Sequence, residues 1–260
     1  MTGVRVAEEI QLKSPQDIEK MKAAGRVVAL VLQQVSAALR PGTTTRELDE
    51  MAEHLIMEMG CRPAFKGYAN YPATMCISVN DEVVHGIPGE RALEPGDLVS
   101  LDVGAIFEGF YADAALSASV GAASPQTRRL MRVTKEALHL GIAQAKPGAT
   151  IGDIASAIER HVEKNGYSVV RDLSGHGIGR EMHEPPQVPN FVSGASRRQL
   201  RVPIEVGMTV AIEPMVNEGG AEILREGNGW TYRTRDGRLS AHYEHTIAVR
   251  DGGPEILTIL

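Results

Sequence analysis

Asp102, Asp113, Glu213 and Glu244 each stand in an apolar, strand-like run, where acid is expensive, and His176 stands between glycines. Asp102 lies in Leu101-Asp102-Val103 and Glu213 in Ala211-Ile212-Glu213-Pro214, while His176 lies in Ser174-Gly175-His176-Gly177-Ile178-Gly179. An unpaired carboxylate in such a run costs several kcal/mol, so these groups are usually paired or hold a metal. Four carboxylates and an imidazole suit a pair of hard or borderline divalent cations. The chemistry this points to is two-metal hydrolysis.

Those side chains can act together only if the elements carrying them bring them to one place. Asp102 and Asp113 flank Phe107-Glu108-Gly109-Phe110. A two-residue hairpin turn at Glu108-Gly109 would pair Phe107 with Phe110 and Gly104 with Asp113. Asp102 then lies on the same face as Asp113, a diagonal neighbour at about 7–8 Å. Carboxylates so placed can converge on cations roughly 3.5–4 Å apart.

Two internal echoes extend this geometry. The run from Pro41-Gly42-Thr43-Thr44 to Gly60 aligns without gaps with the run from Pro147-Gly148-Ala149-Thr150 to Gly166. Likewise Leu93-Glu94-Pro95-Gly96 through Asp102 aligns with Ile204-Glu205-Val206-Gly207 through Glu213, placing a carboxylate at the same spot in each half. A duplicated α+β half is the expected origin. No Pro/Ser/Gly linker separates the halves, so residues 14–260 are read as one catalytic domain behind an N-terminal arm of residues 1–13.

Around these segments, Ser14 reads as an N-cap with Pro15 in the first turn, and apolar residues at Ile18, Met21, Val28, Leu32, Val35 and Leu39 follow one helical face. Further helices are expected over residues 45–59, 125–145 and 151–165, with strands over 75–79 and 98–107 and a mostly strand-like chain from Met208 onward.

Composition narrows the class. The 260-residue chain carries a net charge of −6 and no polybasic run, which argues against nucleic acid or an anionic membrane as partner. The apolar stretch over residues 27–39 is broken by Gln33, Gln34 and Ser36 and is too short to span a bilayer. The first 13 residues have no apolar core of signal-peptide type, and two cysteines, Cys61 and Cys76, are too few for a disulfide framework. A cytoplasmic protein is expected.

Other catalytic schemes fit poorly. There is no Gly-x-Ser-x-Gly elbow, no His-Glu-x-x-His, and no phosphate-binding Gly-Lys-Ser/Thr loop. The glycines around His176 are expected to let the backbone pass close to a metal or substrate. His85, before Gly86-Ile87-Pro88, and His183, before Glu184-Pro185-Pro186, stand in loop-like settings that favour a site role. His54, His139 and His161 fall in helical patterns and read as surface residues.

The ordered set of Cys76-Ile77-Ser78-Val79-Asn80-Asp81-Glu82-Val83-Val84-His85-Gly86-Ile87-Pro88, Gly175-His176-Gly177-Ile178-Gly179, Gly207 through Pro214 and Tyr243-Glu244-His245-Thr246 resembles the type I methionine aminopeptidases over nearly the whole chain after Ser14. The resemblance implies the α+β pita-bread fold, with two pseudo-symmetric halves around a dinuclear metal site. It implies that Asp102 and Asp113 bridge or chelate two divalent ions (Co²⁺, Mn²⁺, Fe²⁺ or Zn²⁺), that His176 and Glu213 bind one of them, and that Glu244 bridges both. Glu213 would move the proton of the attacking water, His183 would hydrogen-bond the scissile carbonyl, and His85 would contact the scissile amide nitrogen or the adjacent residue. The substrates implied are nascent polypeptides beginning with methionine before a small residue, met by a monomer at the ribosome.

An aromatic wall suits a thioether, and Phe65, Tyr68 and Tyr71 cluster just before Cys76, with Trp230 as a further candidate. The chain departs from the usual pattern at Phe65, Met182, His242, Ala112 and Ala114, none of them a ligand. His242 stands where Gln usually precedes Tyr-Glu-His, and strand alternation would put it on Glu244's face. Two rivals stand beside this reading. An Xaa-Pro peptidase of the same fold usually carries an added N-terminal domain, and a non-catalytic binding relative would have lost ligand positions.

Overall fold

The computed structural model describes residues 9–194 and 197–260. The first eight residues of the expected N-terminal arm therefore lie outside the described residues. Helix α1 (Pro15–Ala37) opens on Ser14, whose hydroxyl accepts from the Asp17 N–H, and helix α2 (Thr45–Glu58) opens on Thr44 in the same way through Glu47. The apolar stripe of α1 continues past the helix end: Leu39 is buried although it lies beyond Ala37.

Strand β1 (Met75–Val79) pairs antiparallel with β2 (Leu98–Phe107), which turns into β3 (Phe110–Ser119). The turn is the expected two-residue one. Phe107 faces Phe110 and Gly104 faces Asp113, with Glu108 at φ +46° and Gly109 at φ +80°, the left-handed pair that such a tight turn requires. Helices α3 (Pro125–Ile142) and α4 (Ile151–Lys164) follow, each shorter at its C-terminal end than the apolar pattern suggested. Then come β4 (Gly175–Gly177), β5 (Glu184–Val188), β6 (Thr209–Ile212), β7 (Met215–Asn217), β8 (Ser240–His242) and β9 (Glu244–Arg250). The Pro-rich segment after His183 is thus a strand rather than a loop. It ends the sheet order β2-β3-β9-β6-β4-β5, and such an edge tolerates the missing N–H of Pro185 and Pro186.

The two sequence echoes take the same shape. Gly42 N–H donates to Leu93 O at 2.8 Å and Leu93 N–H to Thr43 O at 2.9 Å; in the second half Gly148 N–H donates to Ile204 O at 3.0 Å and Ile204 N–H to Ala149 O at 2.8 Å. Each half also has its own core. In one, Val28, Val31, Leu48 and Ile56 pack on Leu101 and Val103. In the other, Leu130, Val133, Ile154 and Ile158 pack on Val210, Ile212, Ile247 and Val249. With period 2 along each strand, the helix-covered face takes Leu101, Val210 and Ile247 and leaves their neighbours to the opposite face. That opposite face carries the acids.

Candidate metal centre

Cross-strand partners share a face, and the register here links five strands. Asp102 lies opposite Ala115, which lies opposite Glu244; Thr246 lies opposite Ala211, which lies opposite His176. Two residues along from these stand Asp113 on β3 and Glu213 just beyond the end of β6, so all five predicted ligands project from the uncovered side of one sheet. Ala115 and Ala211 between them keep the space over the sheet open. Ala112 and Ala114, noted as departures, are fully buried on the other face, where Ala114 packs with α1 and has no part in the site.

The glycines beside His176 serve a different purpose from the one expected. A Cβ on Gly175 would meet Ala211 O at 2.4 Å, and one on Gly177 would meet Pro185 O at 2.3 Å. They admit β6 and β5, the neighbouring strands, and thereby set how far His176 stands from the acids.

Ligand atoms of Asp113, His176 and Glu244 all lie within 4.8 Å of one another, and all three residues are buried. His176 Nε2 stands 3.6 Å from Asp113 Oδ2 and 3.7 Å from Glu213 Oε1. Its Nδ1 lies 2.9 Å from Gly177 O, a contact that requires the Nδ1–H tautomer and so leaves the Nε2 lone pair facing the carboxylates. Burial holds the imidazole down at about 4, so it is neutral at pH 7. Thr246 adds a supporting contact, its hydroxyl lying 2.9 Å from Asp113 Oδ1.

Burial first, and repulsion from Asp113 next, push Asp102 and Glu244 well above the usual carboxylate range, and Glu213 is raised for the same reasons. Asp113 is also raised by burial, against the Thr246 hydrogen bond. Asp102 Oδ1 is buried without a hydrogen-bond partner. Acids crowded this way, with an orphaned oxygen and a neutral imidazole nitrogen facing them, have the donor set of a divalent-cation site: oxygen and nitrogen ligands whose charge a cation would balance. The residues fit the expected group.

One cavity is lined by thirteen residues: the four acids Asp102, Asp113, Glu213 and Glu244 with His176, and then His85, His183, Phe65, Tyr68, Tyr71, Cys76, Met182 and Trp230. Tyr71 and Trp230 meet edge to face with centroids 5.0 Å apart, and the Tyr71 hydroxyl is turned inward, 2.9 Å from both Met75 O and Gly86 O, leaving its ring as wall. Gly104 makes room beneath that wall, since a Cβ there would meet Phe65 at 2.8 Å and Met182 at 3.1 Å. His85 holds a left-handed backbone at φ +59°, a conformation that costs a non-glycine residue about 1–3 kcal/mol. Burial holds its ring at about 4.

Tyr68 and His183 stand at the solvent side of the cavity, and the Tyr68 hydroxyl lies 2.7 Å from His183 Nδ1. Although His183 is exposed at one edge, desolvation and then the adjacent His176 ring hold it below the usual histidine range. A neutral ring accepting from Tyr68 at Nδ1 carries its proton at Nε2.

His242 does come close to the acids: its Nε2 faces Glu213 Oε2 at 3.8 Å, across a one-residue interruption of the strand at Tyr243. Of the helical histidines, His54 is exposed as expected, whereas His161 is half-buried and lies 3.0 Å from Glu136.

Residues 19–251 match the metallopeptidase family M24. The chain is 46% identical over 251 residues to a methionine aminopeptidase of Clostridium perfringens, covering 96% of this chain and 99% of that one. It is 45% identical to the methionine aminopeptidase of Escherichia coli K12, over 96% of this chain and 94% of that one. The crystal structure of the Thermotoga maritima methionine aminopeptidase superposes with a TM-score of 0.93 at 43% identity, covering 97% of this chain and 100% of that chain. The prolidase of Pyrococcus furiosus shares the fold at 22% identity and a TM-score of 0.78, this chain spanning 65% of it.

Proposed function

Because this chain belongs to metallopeptidase family M24, we propose that it removes N-terminal methionine before a small second residue, using two divalent cations held by Asp102, Asp113, His176, Glu213 and Glu244. It has the pita-bread fold of that family and is a metallo-exopeptidase acting on polypeptides that begin with methionine. The observation that carries the finer reading is the single cavity in which the acids, three imidazoles and the aromatic wall meet.

Bound there, divalent cations such as Co²⁺, Mn²⁺, Fe²⁺ or Zn²⁺ supply a Lewis acid and a water acidified to near neutrality. The chain's own groups do the positioning and the proton transfer. Phe65, Tyr71, Met182 and Trp230 take the methionine side chain, whose thioether makes favourable contacts with rings. Glu213 accepts the water's proton and returns it to the leaving amine. His183 offers its Nε2–H to the scissile carbonyl oxygen as charge develops there. His85, neutral and fixed by its backbone, contacts the scissile amide nitrogen or the adjacent residue.

Tyr68→Phe removes the group that fixes the His183 tautomer. One hydrogen bond is worth about 1 kcal/mol, so kcat is expected to fall roughly fivefold with KM little changed; a kcat equal to wild type would show that Tyr68 does not orient His183.

In this reading residues 14–260 form one catalytic domain, and a cytoplasmic monomer meets nascent chains at the ribosome. Among the described residues no helix is long and apolar enough to cross a membrane. Peptides beginning Met-Gly, Met-Leu and Ala-Pro separate the rival activities. Free methionine released from Met-Gly, with Met-Leu slow and Ala-Pro intact, supports the proposal; cleavage of Ala-Pro as the preferred substrate would overturn it in favour of an Xaa-Pro peptidase.

A further inference from the structure

Glu213 sits between two imidazoles, of which only His176 is a proposed ligand. Its Oε1 faces His176 Nε2 at 3.7 Å, and its Oε2 faces His242 Nε2 at 3.8 Å. His242 is 2% exposed, and its Nε2 is a buried nitrogen with no hydrogen-bond partner. Leaving such a group unpaired is unfavourable, so a free nitrogen aimed at a carboxylate calls for an explanation.

The backbone around it is held firmly. His242 N–H donates to Ser117 Oγ at 2.9 Å, and the Ser117 hydroxyl lies 3.0 Å from His242 O and 2.8 Å from Ser100 Oγ. His242 also pairs with Met215, two residues after Glu213, across β7 and β8. The His242 backbone is thus tied to the strands that carry Asp102 and Asp113. Closing 3.8 Å to the ~2.9 Å of an N–H···O bond needs only a small turn of the Glu213 side chain.

We propose that His242 is a positioning residue for Glu213: its Nε2–H donates to Oε2 and holds the carboxylate so that Oε1 is presented to the ligand cluster. This rests on Glu213 being a ligand of the metal centre. Partners that orient a ligating carboxylate typically change metal affinity or activity 10–100-fold when lost. His242→Leu and His242→Phe remove the donor with two different shapes, and His242→Gln keeps an N–H donor on a side chain of similar reach.

The test is a calorimetric titration of Mn²⁺ alone into the metal-free full-length chain, for wild type and each variant that melts cooperatively. Either donor-free variant is expected to bind one Mn²⁺ roughly 10–100-fold more weakly, and His242→Gln to recover most of that loss. With a Met-Gly peptide, kcat should fall and KM stay near wild type. Wild-type Mn²⁺ affinity in a folded donor-free variant, or a Gln variant as weak as the Leu and Phe ones, overturns the proposal. A wild-type chain that takes up no Mn²⁺ overturns instead the ligand reading on which it stands.

Discussion

Replacing His176 by alanine is expected to reduce methionine release by on the order of a thousandfold or more, with the protein still folding cooperatively. The imidazole is the one nitrogen ligand proposed, its tautomer is fixed by Gly177 O at 2.9 Å, and its free nitrogen lies among carboxylates. Losing it weakens cation binding on one side of the centre, which contributes several kcal/mol to catalysis at about 1.4 kcal/mol per tenfold. The fold should survive, because truncating His176 leaves the flanking glycines and the β4 pairings intact. Peptide turnover with a thermal melt checks both halves of the prediction. Near-full activity in the variant means that His176 is not a ligand.

Glu213→Gln is the second large effect. The amide matches the carboxylate in shape but cannot take a proton from water, and general-base catalysis contributes about 10²–10⁴-fold. Removing one of the four raised acids also relieves repulsion among those that remain, so the metal-free variant is expected to melt no lower than the metal-free wild type. A loss of kcat without loss of stability is the expected signature. A variant with wild-type kcat would assign the proton transfer to another group.

Much of this centre can be read from the chain because local rules set the geometry. A two-residue turn at Glu108-Gly109 fixes the register of its flanking strands, and the register fixes which face Asp102 and Asp113 share. The repeated Pro-Gly and capping residues mark two equivalent halves, and the hydrogen bonds at Leu93 and Ile204 realise that equivalence. What stays illegible depends on long-range register. Thr246 reaches Asp113 only because β3 and β9, 133 residues apart at that contact, pair as they do. That His242 faces Glu213 in particular is likewise set across strands, β8 lying against β7 just beyond Glu213. The glycines beside His176 signal a close approach but not its partner, which turns out to be the adjacent strands. Methionine as the residue removed is carried by the family, and the aromatic wall is its proposed seat, since acids and imidazoles alone specify no side chain.

The most direct test of the two-cation centre is to strip the chain with a chelator, remove the chelator, and follow methionine release from a Met-Gly peptide as Mn²⁺ is returned. The stripped chain is expected to release none, and activity to recover as two ions bind per chain. Methionine release that persists at full rate in the ion-free chain would contradict the account.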